Sequence, residues 1–81
     1  MNRAEILSRV EDIMRDVFEE DDLVATEDTT SDDVAEWDST NHVRLMVAIE
    51  SELGVMFETN EITAPDNVGA LLDLIEAKLG Q

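Results

Sequence analysis

Residues 37–50 read WDSTNHVRLMVAIE, and this stretch decides the fold of the 81-residue chain. Asp38 and Ser39 are both good helix-capping residues, so a helix is predicted to begin there. Six apolar residues follow at spacings that cover most of a helical circumference: Val43, Leu45, Met46, Val47, Ile49 and Leu53. Such a pattern is typical of a buried helix, so this second helix is predicted to be the most buried one. Gly54 is predicted to end it.

A first helix precedes that stretch. Asn2 is expected to cap it, with Glu5 three residues later completing a capping box. Seven apolar residues then form one helical stripe and carry the helix to about Glu19: Ile6, Leu7, Val10, Ile13, Met14, Val17 and Phe18. Residues 19–38 show no helical period and contain ten acidic residues and no basic one, a net charge of −10. We expect a long acidic loop here, held to the helices by Leu23, Val24 and Val34.

The chain after Gly54 predicts a short helix and a closing one. Val55 and Phe57 alternate as in an extended linker, and residues 58–63 allow one helical turn carrying Ile62. Pro65 marks a boundary, after which Asp66 or Asn67 caps the last helix. Five apolar residues form its inner stripe: Val68, Leu71, Leu72, Ile75 and Leu79. The sequence thus predicts one all-α domain over residues 1–81, a small bundle of three main helices plus one short helix.

The charge and composition exclude several classes of function. The chain has 21 acidic and 5 basic residues and a net charge of −16, which disfavours nucleic acid and anionic membranes as partners. Its natural partners are expected to be basic protein patches or cations. No cysteine is present, so disulfides and thiolate chemistry are absent. Met1 leads directly into a helical pattern without a signal-peptide core, and we expect a cytoplasmic, monomeric protein without membrane insertion.

Ser39 is the strongest candidate for chemistry. It stands at the start of a helix, where free backbone N–H groups and the helix dipole would hold a phosphodiester. The chain has no evident catalytic machinery, which suits an attachment point better than an enzyme. It also has no thiol of its own, and a prosthetic arm attached to Ser39 could supply a thiol. An Asp-Ser pair before a helix is more often an ordinary cap, so the pair alone does not decide the matter.

The order of elements and the sequence around Ser39 resemble the acyl carrier protein family. The shared pattern is a helix, a long acidic loop, Asp-Ser at the head of a second helix, a short third helix and a closing helix. Residues 37–50 resemble the family's Asp-Ser-Leu segment and the run that follows it, and residues 54–57 resemble its next turn. The spacing from Asp-Ser to Glu50, Phe57, Ile62 and Val68 extends the likeness over roughly residues 3–79.

The resemblance implies a covalent 4′-phosphopantetheine on Ser39, with Asp38 as a flanking recognition residue. A phosphopantetheinyl transferase would attach it from coenzyme A, and its thiol would hold acyl groups as thioesters for fatty-acid, lipid or secondary metabolism. Other expected partners are an acyl-loading ligase or synthase and acyltransferases. The protein would then be a carrier and not an enzyme.

Some positions depart from the family's usual pattern. Thr40 stands where the family usually has leucine, and Asn41, Arg44 and Ser51 stand where fatty-acid carriers are usually acidic. Residues 39–53 carry a net charge of only −1. We therefore expect a specialised stand-alone carrier dedicated to one pathway instead of the general fatty-acid carrier. An aminoacyl or D-alanyl carrier and an unmodified acidic helical adaptor are the alternatives.

Five residues around Ser39 are expected to contact partners: Trp37, Thr40, Asn41, His42 and Arg44. Trp37 is expected to pack over the head of the second helix. His42 lies three positions after Ser39, but a Ser–His hydrolase would also need a nucleophile elbow and an oxyanion hole, and the sequence has neither. His42 is therefore interpreted as a surface residue beside the arm.

Two further sets of residues allow both a purely structural and a functional interpretation. Six apolar side chains are expected to be core first and an adaptable acyl slot second: Met46, Ile49, Phe57, Ile62, Leu71 and Leu74. The acidic runs before Ser39 lack the central glycine that an EF-hand needs, since no glycine precedes Gly54, so no metal site is predicted.

Overall fold

The computed structural model describes residues 1–80 and contains four helices. They are α1 (Arg3–Phe18), α2 (Ser39–Leu53), α3 (Thr59–Ile62) and α4 (Val68–Leu79). Residues 1–80 contain no strand, and the predicted all-α bundle of three main helices and one short helix is confirmed. Gln81, the last residue of the expected domain, lies outside the described residues.

Local side-chain capping fixes where the helices begin and end. The Asn2 side chain accepts a hydrogen bond from the Glu5 amide at 2.8 Å, and the Glu5 carboxylate accepts one from the Asn2 amide at 3.2 Å. This is the predicted capping box. Glu19 ends α1 in the left-handed conformation at φ 55°, and Gly54 ends α2 in the same region at φ 68°. Both ends lie where the sequence predicts them.

The core is formed where α1 packs against both α2 and α4. Ten side chains from these three helices are almost fully buried: Ile6, Val10, Met14, Leu45, Met46, Ile49, Val68, Leu71, Leu72 and Ile75. Removing such side chains from water contributes about 1.5–3 kcal/mol each, which is the main favourable term in folding.

The prediction that α2 is the most buried helix is wrong. It buries Leu45, Met46 and Ile49, whereas α1 buries five residues. Val43 is 47% exposed and Val47 is 54% exposed. The apolar residues of α2 would allow burial on most of its circumference, but the other helices and the loop cover only one side of it.

The acidic loop is fastened to the bundle by alternate residues. Leu23 and Ala25 point inward, while Val24, which we expected to pack, is 71% exposed. Successive side chains of an extended segment point to opposite sides, so Val24 must face water when its neighbours are buried. The loop also reaches α4, because the carbonyls of Thr29 and Glu27 accept hydrogen bonds from the amides of Val68 and Gly69 at 2.9 and 2.8 Å.

Arg3 joins the two ends of the chain to the loop. Its guanidinium makes a two-pronged contact with the Glu27 carboxylate, at 3.0 and 2.8 Å. It also pairs with Asp73 at 2.8 Å and with Glu76, both on α4. Hydrogen bonding to Arg3 lowers the pKa of Glu27 from its ordinary value of 4.5. The acidic loop is thus held by a charge contact as well as by apolar ones.

We expect Glu27→Gln to lower the unfolding midpoint at neutral pH and to lose this effect in acid. A carboxylate with a lowered folded-state pKa stabilises the fold above its ordinary pKa, and the contribution disappears as pH falls through the lowered value. Thermal unfolding of both proteins from pH 7 to pH 2.5, roughly the range over which a glutamate titrates, measures the gap. Glu20→Gln, which removes an exposed loop carboxylate without an ion pair in residues 1–80, is the control. A gap that persisted unchanged in acid would contradict the prediction.

Candidate functional site

Ser39 is the first residue of α2 and is free of any structural task. Asp38, not Ser39, is the cap: its side chain accepts a hydrogen bond from the Asn41 amide at 2.8 Å, and its carbonyl accepts one from His42 at 2.8 Å. Both Asp38 and Ser39 are exposed. Within residues 1–80, the Ser39 hydroxyl and the backbone amides of Ser39 and Thr40 make no hydrogen bond. The helix start therefore presents one hydroxyl and two unused donors to solvent.

An open groove of about 580 Å³ lies beside Ser39. It runs between the start of α2 and the segment that follows α3. Nine residues line it: Ser31, Trp37, Asp38, Ser39, His42, Val43, Thr63, Pro65 and Asp66. The exposed hydroxyl thus opens onto a mixed polar and apolar channel and not onto a flat surface.

His42 forms part of the framework of this groove. Its Nδ1 lies 2.9 Å from the Trp37 indole nitrogen, and its Nε2 lies 2.5 Å from the Ile62 carbonyl oxygen. An indole N–H can only donate and a carbonyl can only accept, so the imidazole is neutral with its proton on Nε2. Neither ring nitrogen is free to take a proton from Ser39. His42 is not a freely exposed surface residue: it is half-buried, ties α2 to α3 and lines the groove beside Ser39. Its contact with partners stays a prediction.

Trp37 packs over the head of α2. It is only 6% exposed, and its ring centroid lies 6.1 Å from that of Phe18 and 6.0 Å from that of His42. Its large apolar surface therefore joins the loop to the core. The small part that remains accessible lines the groove, so any contact it makes with a bound molecule is made there.

We expect His42→Ala to lower the free energy of unfolding by about 1–3 kcal/mol, because the buried Trp37 N–H would lose its acceptor. Chemical denaturation monitored by circular dichroism measures the loss. Thr40→Ala, an exposed change on the same helical turn, should stay within about 0.5 kcal/mol of wild type. Equal losses for the two variants would show that the Trp37–His42–Ile62 chain of hydrogen bonds contributes nothing.

The remaining predicted partner residues divide into two groups. Thr40 and Arg44 are exposed and one turn apart, so they share the outward side of α2. Asn41 is half-buried, and its side-chain amide donates a hydrogen bond to the Glu36 carbonyl at 2.8 Å. It therefore holds the loop to the helix.

The six side chains predicted as core or acyl slot all lie in the core or against it. Met46, Ile49 and Leu71 are fully buried, Phe57 is 8% exposed, and Ile62 and Leu74 pack on them from the edge. None of the six lines the groove at Ser39. In this structure they fill space with one another, and their use as a slot stays a prediction.

Sequence reasoning missed the far wall of the groove. Ser31, Thr63, Pro65 and Asp66 line the groove together with Ser39. In the sequence they read only as loop and capping residues, since nothing in their spacing indicates which helix start they will face. Across residues 1–80, no three histidine, aspartate or glutamate side chains are grouped so as to hold a metal ion. None of the described helices has the length and apolar character needed to cross a membrane.

The chain is similar to two known proteins along nearly its whole length. It is 33% identical to the acyl carrier protein of Thermotoga maritima over 79 residues, which cover 98% of both chains. The solved structure of the holo acyl carrier protein of Geobacter metallireducens superposes with a TM-score of 0.84 at 36% identity, covering 91% of this chain and 85% of that one. No family model matches the chain. The full-length similarity, the fold and the Asp-Ser helix start together place this chain in the acyl carrier protein family.

Proposed function

We propose that Ser39 bears a covalent 4′-phosphopantetheine arm and that the protein presents acyl groups on it to partner enzymes. The family establishes an acyl carrier that is not itself a catalyst. The solved relative is described as a holo protein. The attachment residue, the arm and the partners of this chain are the proposal.

The observation that supports the proposal most strongly is that several hydrogen-bonding groups at the start of α2 have no partner within the described part of the chain. Ser39 has an exposed hydroxyl without a hydrogen bond in residues 1–80, and the neighbouring amides of Ser39 and Thr40 are unpaired as well. A phosphodiester on this hydroxyl needs donors nearby, and helix-start amides supply them. The residues present therefore fit the group.

Each residue near Ser39 has a distinct task in this proposal. Asp38 caps α2 and so fixes Ser39 as the first residue of that helix. Trp37 and His42 are hydrogen-bonded to each other and line the groove beside it. When bound, the arm supplies the thiol that holds an acyl group as a thioester. The protein's own part is to hold the attachment point outward and to offer a docking surface around it.

The specialised character expected from the sequence is also part of the proposal. Arg44 and Thr40 are exposed near Ser39 and residues 39–49 contain no acidic residue, so enzymes that dock there meet no carboxylate on the first part of α2. We propose a carrier with its own transferase, acyl-loading ligase or synthase and acyltransferases. An aminoacyl or D-alanyl cargo uses the same attachment chemistry, and loading assays with the corresponding ligases separate the cargoes.

The proposal is tested by intact-mass measurement after incubation with coenzyme A, magnesium and a broad-specificity phosphopantetheinyl transferase. We expect the wild-type protein to gain the mass of one phosphopantetheine. If a folded sample gained no mass, with a known carrier modified in the same reaction, the proposal would be overturned. An unmodified acidic adaptor would then be the better description.

A further inference from the structure

One side of α2 is exposed along its whole length. Thr40, Val43, Arg44, Val47 and Ser51 lie at helical spacing, and all five are exposed. We call these five residues the outer face of α2. Ser39, the proposed attachment point, lies at the head of the same helix. An enzyme bound to the outer face would therefore sit next to the arm.

Arg44 is distinguished from every other basic side chain in the described part of the chain. Arg3, Arg9, Arg15 and Lys78 are each within 4.0 Å of at least one carboxylate. Arg44 has no ion pair in residues 1–80, although acidic residues outnumber basic ones fourfold.

The sequence of α2 explains why Arg44 stays unpaired. Arg15 pairs with Glu11 and Asp12, which precede it by four and three positions on α1. The corresponding neighbours of Arg44 are Thr40, Asn41, Val47 and Ala48, and residues 39–49 contain no acid. A guanidinium presents a rigid fork of donors that suits a carboxylate, so this one is available to a partner.

Val43 and Val47 give the outer face its apolar part. They lie one turn apart on either side of Arg44 and are 47% and 54% exposed. Water-exposed valines beside an unpaired arginine form a small apolar patch with one positive centre. Apolar contact supplies binding energy at such a patch, whereas the charge selects which partner is tolerated.

We propose that partner enzymes dock on the outer face of α2 through an apolar surface that carries a carboxylate opposite Arg44. This inference rests on the proposed function, because it assigns the docking partner of the same arm. It also reverses the expectation from net charge alone, which favours basic partners everywhere. The acidic loop favours positive charge on a partner and the outer face of α2 favours negative charge, so a wholly basic docking surface is disfavoured at Arg44.

The test uses three amphipathic helical peptides with the same leucine stripe. Their single central charged position carries glutamate, glutamine or lysine, and all other polar positions are neutral. Each is titrated to millimolar concentration into the protein, with and without the arm, and backbone amide shifts are followed by NMR. Salt at about 0.15 M limits the influence of distant charges to about 8 Å.

We expect the glutamate peptide to shift the amides of the outer face and to bind about two- to fivefold more tightly than the lysine peptide, the range for one exposed ion pair. Arg44→Gln should abolish this preference. Arg9→Gln, which removes one positive charge from α1, is the matched control and should retain it.

Four results would overturn the inference, the first three of which concern the peptides alone. These three are tighter binding of the lysine peptide, shifts confined to residues 19–38, and no shift on the outer face with the glutamate peptide. An equal effect of Arg9→Gln and Arg44→Gln would do the same, because it would reduce the preference to net charge. Arm attachment is measured separately by mass. A protein that gains no arm but prefers the glutamate peptide would disprove the proposed function and leave the docking surface intact.

Discussion

We expect Ser39→Ala to gain no phosphopantetheine mass under conditions that modify wild type completely, because the variant would lose the proposed attachment point. The Ser39 hydroxyl is exposed and unbonded at the groove, and the alanine side chain has no oxygen to form the ester. Ser8→Ala, an exposed serine on α1, is the matched control and should gain the full mass. A mass gain by Ser39→Ala would move the attachment elsewhere, for example to Ser31, which lines the same groove.

The same variant should leave stability almost unchanged. Losing a helix cap costs about 0.5–2 kcal/mol, but Asp38 performs the capping here and Ser39 does not. We therefore expect urea unfolding of Ser39→Ala within about 0.5 kcal/mol of wild type. Loss of the arm together with near-native stability would assign Ser39 a chemical task. A large stability loss would instead make it chiefly structural.

We expect Ile49→Ala to cause the largest loss in the free energy of unfolding. Ile49 is fully buried between α2 and the rest of the core, so truncation removes burial and leaves a cavity. Such changes cost about 2–5 kcal/mol. For a chain of this size, whose total stability is modest, that loss is expected to unfold a visible fraction of the sample at room temperature. Urea unfolding followed by circular dichroism measures it.

Val47→Ala provides the matched control on the same helix. Val47 lies two residues earlier but is 54% exposed, so the same substitution should change stability by at most about 0.5 kcal/mol. Alanine also has the higher helix propensity, which offsets part of any lost contact. If Val47→Ala proved as costly as Ile49→Ala, the orientation of α2 in the bundle would be wrong.

Most of the fold was predictable because its signals are local. Asn2 with Glu5, Asp38 and Gly54 act through hydrogen bonds or backbone conformations within a few residues of themselves. The apolar stripes of α1 and α4 repeat at helical spacing over enough residues to identify the buried sides. The charge of residues 19–38 disfavoured a packed helix there, and the structure has a loop.

The sequence by itself determined the helix boundaries, the all-α class and the position of Ser39 at a helix start, because neighbours along the chain set all three. Only the tertiary structure decided that Val43 and Val47 face water and that Arg44 makes no ion pair in residues 1–80. It also decided that both ring nitrogens of His42 are hydrogen-bonded, one to Trp37 and one to Ile62. Each of these depends on which distant segment lies beside α2. The chemistry of a side chain determines which kinds of contact it can make, but the packing of distant segments determines whether a partner lies within reach.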